Sequence, residues 1–373
     1  MYSLHPKIEH IPNGYEDIGK ETSHITTTWV LSNNSHIETV KSFCRRYGLV
    51  FSKKCCCHAT VTGNAESYNH MLQTSIHKFT NDQDTYHFPI TSVSITLILK
   101  DKVLEIIGLN NFPYLTPYTK VQGLNPDKAK KYPSVVYNSV AYNSVYNSPN
   151  ETKSRDLEPR VIKSFNPLEL ASLYNFPGND GEGQKIGIME LGGGYVLSDI
   201  QTYFNSLGIT STPRITSVSV DGARNNPNDT SGANYEVYLD IEVIAAIVPK
   251  ADIYVYFAPN SFQGFYNAIN AAINDNCSII SISWGAPESQ WGNSNLNSYN
   301  NLFKSAADKN ITIAAAAGDN GSSDGLSGLN VDYPSSSPYV LACGGTRLDD
   351  SGVYIVSEMV WNMIMAALAF RNA

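Results

Sequence analysis

Two acidic residues four positions apart form the first pattern in this sequence that could do chemistry. Glu236 and Asp240 lie in the stretch NYEVYLDIEVIAAIV, which is predicted to be a helix. Residues at i and i+4 share one helical face, so the two carboxyl groups can share a hydrogen bond. Two coupled carboxyl groups do not both ionise easily, so one keeps a proton and can act as a base or acid at low pH. The same spacing is also common on solvated helix faces, and Glu242, off this face, is interpreted as ordinary surface or structural charge.

A third acidic residue follows an apolar strand. Asp319 comes after ITIAAAAG and precedes Asn320-Gly321. A carboxylic acid that stays neutral in acid solution could donate a hydrogen bond to an oxyanion that develops during a reaction. The alternative is an aspartate that only forms a turn in the GDNG loop.

Three further motifs have competing interpretations. SISWG (281–285) ends a buried strand and suits a wall that pairs with extended substrate backbone, although core packing explains it equally well. ELGGGY (190–195) lacks the GxGxxG order and begins with an acidic residue, which argues against nucleotide binding. The run Cys55-Cys56-Cys57-His58 has no CxxC spacing and no second ligand pair, so we interpret it as thiols in a strand and predict no metal site.

The distribution of histidine and charge divides the chain. All eight histidines lie within the first 87 residues, so the commonest general base is missing from residues 88–373 and a hydrolase there must use carboxylates. Residues 1–165 carry 18 Lys+Arg against 14 Asp+Glu, a balance of +4, whereas residues 166–373 carry 8 against 20, a balance of −12. A mildly basic part therefore precedes an acidic one.

The elements that must position these residues follow the same division. Residues 1–24 are predicted to be a tail, and residues 25–110 contain two rounds of strand, helix and strand, which predicts an α+β ferredoxin-like domain. Residues 111–165 are rich in proline and include the low-complexity tract YNSVAYNSVYNS, so we interpret them as a linker with a processing region.

From residue 166 to residue 373, short apolar strands alternate with helices. This alternation predicts an α/β fold with a parallel sheet that helices cover on both faces. Ligands in such sheets bind beyond the carboxyl ends of the strands. Three polar clusters are predicted there, at Glu190, at residues 283–285 and at Asp319.

The motifs of this second part resemble the kumamolisin branch of the sedolisin family of serine-carboxyl peptidases. The resemblance rests on ELGGGY, YEVYLDIEV, IYVYFAPN, SIISISWGAPES, AAAAGDNGSSDG, VDYPSSSPYVLACGGT and MVWN, in that order, between residue 166 and Asn362. It implies a subtilisin-like fold, endopeptidase activity in acid, and synthesis as a zymogen, with the domain at 25–110 as the activation propeptide.

The resemblance also implies a role for each matching residue. Glu236 matches the general base and Asp240 its orienting partner, while Asp319 matches the aspartate that stabilises the oxyanion. Glu190 and Trp284 match residues that support the carboxylate network, and Ser283 and Gly285 match the substrate-binding strand. The family uses glutamate where other serine peptidases use histidine, in agreement with the missing histidines.

The sequence departs from the family pattern near its end. The nucleophilic serine of the family lies in a G-T-S-A motif, and the only similar string here is GGTRLDD (344–350), while MIMAALAFRNA follows Trp361-Asn362 in place of a glycine-rich continuation. We therefore expect a chain that is truncated before the nucleophile, an incomplete sheet that folds poorly, and no activity. The family's calcium site is also expected to be absent. A peptide-binding pseudoenzyme or gene remnant is the alternative.

The resemblance implies peptide or protein substrates, and the propeptide as an intramolecular inhibitor. We expect no nucleic-acid or membrane partner. The family is extracellular, whereas the first twenty residues lack the apolar segment of a secretory signal.

Overall fold

The structure is a computed structural model. It describes residues 2–5, 14–54, 57–81, 84–113, 115–117, 165–211 and 213–360. The predictions for Cys55 and Cys56, for most of the linker and for Trp361-Asn362 with the residues beyond lie outside the described residues.

The amino-terminal part of the described chain consists of antiparallel sheets and two helices. Its strands are β1 Tyr2–His5, β2 Glu16–Lys20, β3 His24–Leu31, β4 Val50–Lys53, β5 His58–Asn64, β6 Ile76–Thr80, β7 Thr85–Pro89, β8 Val93–Ile95, β9 Val103–Ile107 and β10 Thr116–Pro117. Its helices are α1 Ile37–Arg46 and α2 Ala65–Leu72.

The carboxyl-terminal part alternates between helices and strands. Its helices are α3 Pro167–Leu173, α4 Leu197–Ser206, α5 Asn234–Ile247, α6 Phe262–Asn274 and α7 Gly292–Ala307. Its strands are β11 Lys185–Glu190, β12 Arg214–Ser219, β13 Asp252–Phe257, β14 Ile279–Ile282, β15 Trp284–Pro287, β16 Thr312–Ala316, β17 Asp332–Tyr333, β18 Leu341–Cys343, β19 Thr346–Asp350 and β20 Ile355–Val360.

The main antiparallel sheet has the strand order β4-β5-β3-β9, with α1 and α2 packed on one face. The period-2 pattern of HITTTWVL explains this packing, because Ile25, Trp29 and Leu31 enter the core while the alternate residues point to the opposite face. This arrangement of four strands and two helices is the predicted ferredoxin-like topology. Two smaller sheets, β1-β8 and β2-β6-β7, extend it, so strands occur within residues 1–24.

The parallel sheet has six strands in the order β12-β13-β11-β14-β16-β18. Helices α4 and α5 bury apolar side chains on one face, and α6 and α7 do so on the other. The predicted α/β subtilisin-like class is therefore confirmed. The edge strand β18 and the hairpin β19-β20 expose apolar side chains, among them Leu341 and Val353.

The outer face of the antiparallel sheet lies on α6 and α7. Thr28 of β3 accepts a hydrogen bond from Gln263 and donates one to Asn267, with distances of 3.2 and 3.1 Å. Gly108, just after β9, has φ +100°, and a Cβ there would lie 1.9 Å from the side-chain oxygen of Gln263. The two parts of the chain therefore meet closely across this face.

In the described residues, no helix is long and apolar enough to cross a membrane.

Candidate active site

Helix α5 carries the predicted acidic pair inward. The side chains of Glu236 and Asp240 are buried, with exposed fractions of 2% and 9%. Val237 and Ile241 are also buried, so this helix has apolar contacts around most of its circumference. Of the two interpretations of Glu242, as a surface or a structural charge, the surface one is wrong, because its exposed fraction is only 4%. The pattern NYEVYLDIEVIAAIV is apolar on most sides, which indicates a largely buried helix, although Val243 is 42% exposed.

Asp240 is tied to the residue that follows β14. The hydroxyl of Ser283 donates to the carboxylate of Asp240, with both oxygens at 2.9 Å. Burial and the nearby charge of Glu236 raise the pKa of Asp240, and the hydrogen bond from Ser283 offsets part of this rise. The pair on α5 therefore favours a protonated state under conditions in which an exposed aspartate is ionised.

Glu190 brings a third carboxyl group to the same cluster. It is the last residue of β11, its side chain is fully buried, and its Oε2 accepts a hydrogen bond from Nε1 of Trp284 at 3.0 Å. Burial raises the pKa of Glu190, and so do the charges of Asp240 and Glu236, while the indole N–H of Trp284 lowers it. The structure thus brings together five residues that the sequence analysis named in three different motifs, Glu190, Glu236, Asp240, Ser283 and Trp284.

The glycines after Glu190 allow the close approach of α5. Gly193 has φ +71°, and a Cβ there would lie 2.6 Å from the carbonyl carbon of Ala233 at the start of the helix. The backbone N–H of Gly194 donates to the side chain of Asn234 at 2.7 Å, and that of Tyr195 donates to the side chain of Asn225 at 2.8 Å. Since protein side chains accept from these N–H groups, the loop packs a helix against the sheet and has the wrong geometry for a phosphate cradle.

Asp319 lies three residues beyond β16, at the carboxyl edge that also presents Glu190 and Ser283. It is half-buried. In the loop that follows, Asp324 is buried with φ +45° and is hydrogen-bonded to Asn320 and Asp332. Burial raises the pKa of Asp324.

The sequence interpretation overlooked Asp324 and Asp332. Both residues are buried, and the hydrogen bond from Asp332 to Asp324 offsets part of the rise that burial causes in the pKa of Asp324. Three acidic residues within the 14 residues after Gly318 were the available signal.

A cleft of about 330 Å³ lies beside the cluster of Glu190, Glu236 and Asp240. Its lining residues are Pro117, Leu191, Gly192, Asp229, Ser231, Ala233, Asn260 and Trp284. The sequence interpretation also missed Asn260, although a polar residue just beyond the end of β13 could have indicated it.

A segment of the amino-terminal part already lies along this cleft. Strand β10 pairs antiparallel with β15, so that Thr116 is opposite Gly285 and Pro117 is opposite Trp284. The side-chain N–H of Asn260 donates to the carbonyl oxygen of Leu115 at 2.8 Å, and the Leu115 side chain is 3% exposed. An extended chain is thus bound as an additional strand, in the way that a peptide can be bound.

Among the described residues, no group of three or more His, Cys, Asp or Glu side chains is placed to hold a metal ion.

Comparison with known proteins gives a consistent answer. The Subtilase family model matches residues 219–359. Kumamolisin from Bacillus sp. (strain MN-32) is 37% identical over 332 residues, which cover 87% of this chain and 56% of kumamolisin. Sedolisin from Pseudomonas sp. (strain 101) is 28% identical over 228 residues, which cover 56% of this chain and 38% of sedolisin. The chain thus spans about half or less of the length of these relatives.

Similar solved structures include that of Pseudomonas sedolisin, a serine-carboxyl proteinase, in complex with pseudo-iodotyrostatin. It aligns with a TM-score of 0.48 at 25% identity, over 54% of this chain and 59% of that chain.

The parallel sheet, the carboxyl cluster at its edge and the family match define a subtilase-type α/β protein. Within the subtilases, the chain is related to the sedolisin/kumamolisin family of serine-carboxyl peptidases.

Proposed function

We propose that this chain carries the acid/base and oxyanion groups of a serine-carboxyl endopeptidase that acts in acid and is made as a zymogen. The observation that supports this most strongly is the buried cluster of Glu190, Glu236 and Asp240, in which burial and mutual repulsion raise the pKa of Glu190 and Asp240. A cleft that accepts an extended chain lies beside the cluster.

The proposed reaction is acyl transfer from a peptide bond. The oxygen of a serine attacks the carbonyl carbon while Glu236 accepts the serine proton, and the protonated carboxyl group of Asp319 donates a hydrogen bond to the oxyanion. The proton on Glu236 then passes to the leaving amine as the C–N bond breaks. Water repeats the sequence on the acyl-enzyme and releases the acid.

In this proposal Asp240 and Glu190 act on Glu236 rather than on the substrate. Asp240 is fixed by the hydroxyl of Ser283, and Glu190 is fixed by the indole of Trp284. Both carboxyl groups lie close enough to Glu236 for its charge to affect their pKa. They therefore tune the proton affinity of the base and hold its orientation.

No serine of the described residues is assigned as the nucleophile. The G-T-S-A string of the family does not occur in the 373 residues. We therefore propose that this chain by itself does not hydrolyse peptides.

The amino-terminal part, up to residue 117, is proposed to inhibit the carboxyl-terminal part, from residue 165, which is called the peptidase part below. Residues 115–117 lie on the strand that would otherwise pair with substrate, and the side chain of Pro117 lines the cleft. A substrate must displace this segment, so the chain is latent as long as the segment stays in place.

A chimeric chain tests the peptidase proposal. Residues 1–360 are joined to the corresponding carboxyl-terminal part of Bacillus kumamolisin, which supplies a serine, and hydrolysis of a denatured protein is measured at pH 4 and pH 7. We expect hydrolysis at pH 4 and a loss of about 10³-fold in kcat/KM for Glu236→Gln. The matched control is Glu242→Gln, a buried glutamate on the same helix, which should keep activity within about threefold at pH 4. Equal losses for the two variants would refute the assignment of Glu236.

The second candidate is a peptide-binding protein without catalysis, and the pairing of β10 with β15 favours it. If the chimera is inactive at every pH while extended peptides still compete with residues 115–117 for the cleft, this candidate replaces the first.

A further inference from the structure

The docking face of the antiparallel sheet has a row of three residues across its strands. Val30 of β3 is opposite His58 of β5 on one side and opposite Glu105 of β9 on the other. All three point away from α1 and α2, toward the peptidase part. Val30 joins the hydrophobic core of that part, and Ser298 of α7 donates to Glu105 at 3.1 Å.

His58 lies at the end of this row that contacts α6. Its Nε2 lies 2.7 Å from the hydroxyl oxygen of Tyr266, and the centres of the two rings are 5.5 Å apart. Tyr266 is 2% exposed and belongs to the peptidase core. The histidine is therefore half-buried at the contact between the two parts.

Groups around His58 come from its own sheet and from α6. Lys53 and Lys54 precede it on the same sheet, and the N–H of Lys54 donates to the His58 carbonyl. Glu105 lies two strand spacings away, about 10 Å. On α6 the docking face carries Tyr266 and the amides Gln263 and Asn267, of which Asn267 donates to Asp221 at 2.6 Å.

We infer that His58 is a proton-sensitive contact: its protonation in acid weakens the docking of the amino-terminal part on α6 and so frees the cleft. This inference rests on the proposed role of that part as an inhibitor. It assigns the release to one residue of the eight histidines.

The physical reason for this pH dependence is that docking removes water from around the imidazole ring of His58. Burial at the docked face lowers the pKa of His58 to about 4, whereas a histidine exposed after undocking titrates near pH 6.5. The undocked state therefore binds the proton more tightly. Docking has its full strength above pH 6.5 and weakens as the pH falls toward 4. With these two values, the equilibrium shifts toward the undocked state by about 30-fold at pH 5.

Two other histidines with defined contacts are less suited to this role. His77 lies 2.7 Å from the carboxylate of Asp17 on the β2-β6-β7 sheet, so this contact is within the amino-terminal part. His87 is enclosed within the amino-terminal part, where Asn111 accepts from its backbone N–H. Protonation of His87 would act on the fold of that part rather than on the docking face.

Hydroxyl-radical footprinting of the 373-residue chain tests the inference without any need for peptidase activity. The readout is oxidation of Tyr266, which docking shields. Tyr299 is fully buried in the peptidase core and serves as the internal reference for folding. We expect oxidation of Tyr266 to rise by up to about 20-fold from pH 7 to pH 5 while Tyr299 stays protected.

Two variants separate proton binding from general weakening of the interface. In His58→Gln, the rise of Tyr266 oxidation should disappear, whereas His77→Gln should keep it. Thr28→Val loses its hydrogen bonds to α6, so it should raise oxidation at both pH values and keep the same pH-dependent rise. An equal rise in the wild type and in His58→Gln would overturn the inference.

If His58→Gln exposes Tyr299 and so fails to fold, a ¹⁵N NMR titration of the wild-type imidazoles gives the answer. Titration of His58 well below pH 6, together with loss of Tyr266 protection, supports the inference. Titration near pH 6.5 with Tyr266 still shielded contradicts it. An inactive chimera that keeps the pH-dependent Tyr266 signal would reject the peptidase proposal and leave the docking contact in place.

Discussion

The two parts of the chain differ in which titratable groups have shifted pKa values. The amino-terminal part holds all eight histidines, and partial burial of His58 and His87 lowers their pKa values, while Glu21 and Glu105 are buried in the same part. The carboxyl-terminal part has no histidine, and it buries carboxyl groups whose pKa values are raised by burial, including Glu190 and Glu242. A fall in pH therefore adds buried charge to the first part and removes it from the second.

This contrast has a definite consequence for stability. A buried carboxyl group with a raised pKa favours the folded state in its neutral form, so its penalty is absent below its ordinary pKa and grows as the pH rises toward the folded value. A buried histidine with a lowered pKa shows the reverse dependence on pH. We therefore expect the peptidase part to tolerate acid better than the part that covers its cleft.

Among single substitutions, Leu115→Asp is expected to have the largest effect on the contact between the two parts. The Leu115 side chain is buried in the contact between the two parts, and a carboxylate there loses its hydration without gaining a partner. We expect residues 115–117 to leave the cleft. Hydrogen exchange of the peptide that contains 283–287 should become at least about 100-fold faster at pH 7.

The control for that change is Leu97→Asp in the same part. Leu97 is 69% exposed, so the variant should exchange like the wild type. If Leu115→Asp also leaves exchange of the 283–287 peptide unchanged, residues 115–117 do not protect the cleft, and the proposed inhibition by this segment is wrong.

A smaller effect is expected from Glu242→Gln. Burial and the nearby Asp199 raise the pKa of Glu242 to about 8. The wild type therefore loses stability as the pH rises from about 4.5 to about 8, and the neutral glutamine avoids this loss. We expect the variant to be more stable by on the order of 2 kcal/mol at pH 8, with little difference at pH 4. Thermal unfolding at the two pH values measures this gap, and a constant gap would refute the burial of an uncharged Glu242.

The sequence predicted the fold where the pattern is local. KIGIME and DIYVYF are short apolar runs between helices, and both are parallel strands at the predicted places. The i, i+4 spacing placed Glu236 and Asp240 on one face, because helical geometry alone decides this. Their deep burial required the sheet and the glycine loop, which spacing does not reveal.

Other features depend on contacts between distant parts of the chain. Thr116 pairs with Gly285 across 169 positions, and a two-residue strand has no pattern of its own. Asn260 gains its role only because Leu115 lies against it. The exposure of Glu242 was misjudged because a helix that is apolar on most sides gives no indication of which charge it buries.

The cluster of Glu190, Glu236 and Asp240 is expected to keep a proton at a pH where free carboxylates have lost theirs. A ¹³C NMR titration of the 373-residue chain, labelled at the Asp and Glu carboxyl carbons and assigned with Glu190→Gln and Asp240→Asn, tests it most directly. We predict that at least one of these two groups is still protonated at pH 6.5, and that Trp284→Phe, which removes the donor to Glu190, raises the pKa of Glu190 further without moving that of Glu242. Complete ionisation of both Glu190 and Asp240 by pH 5 would contradict the account.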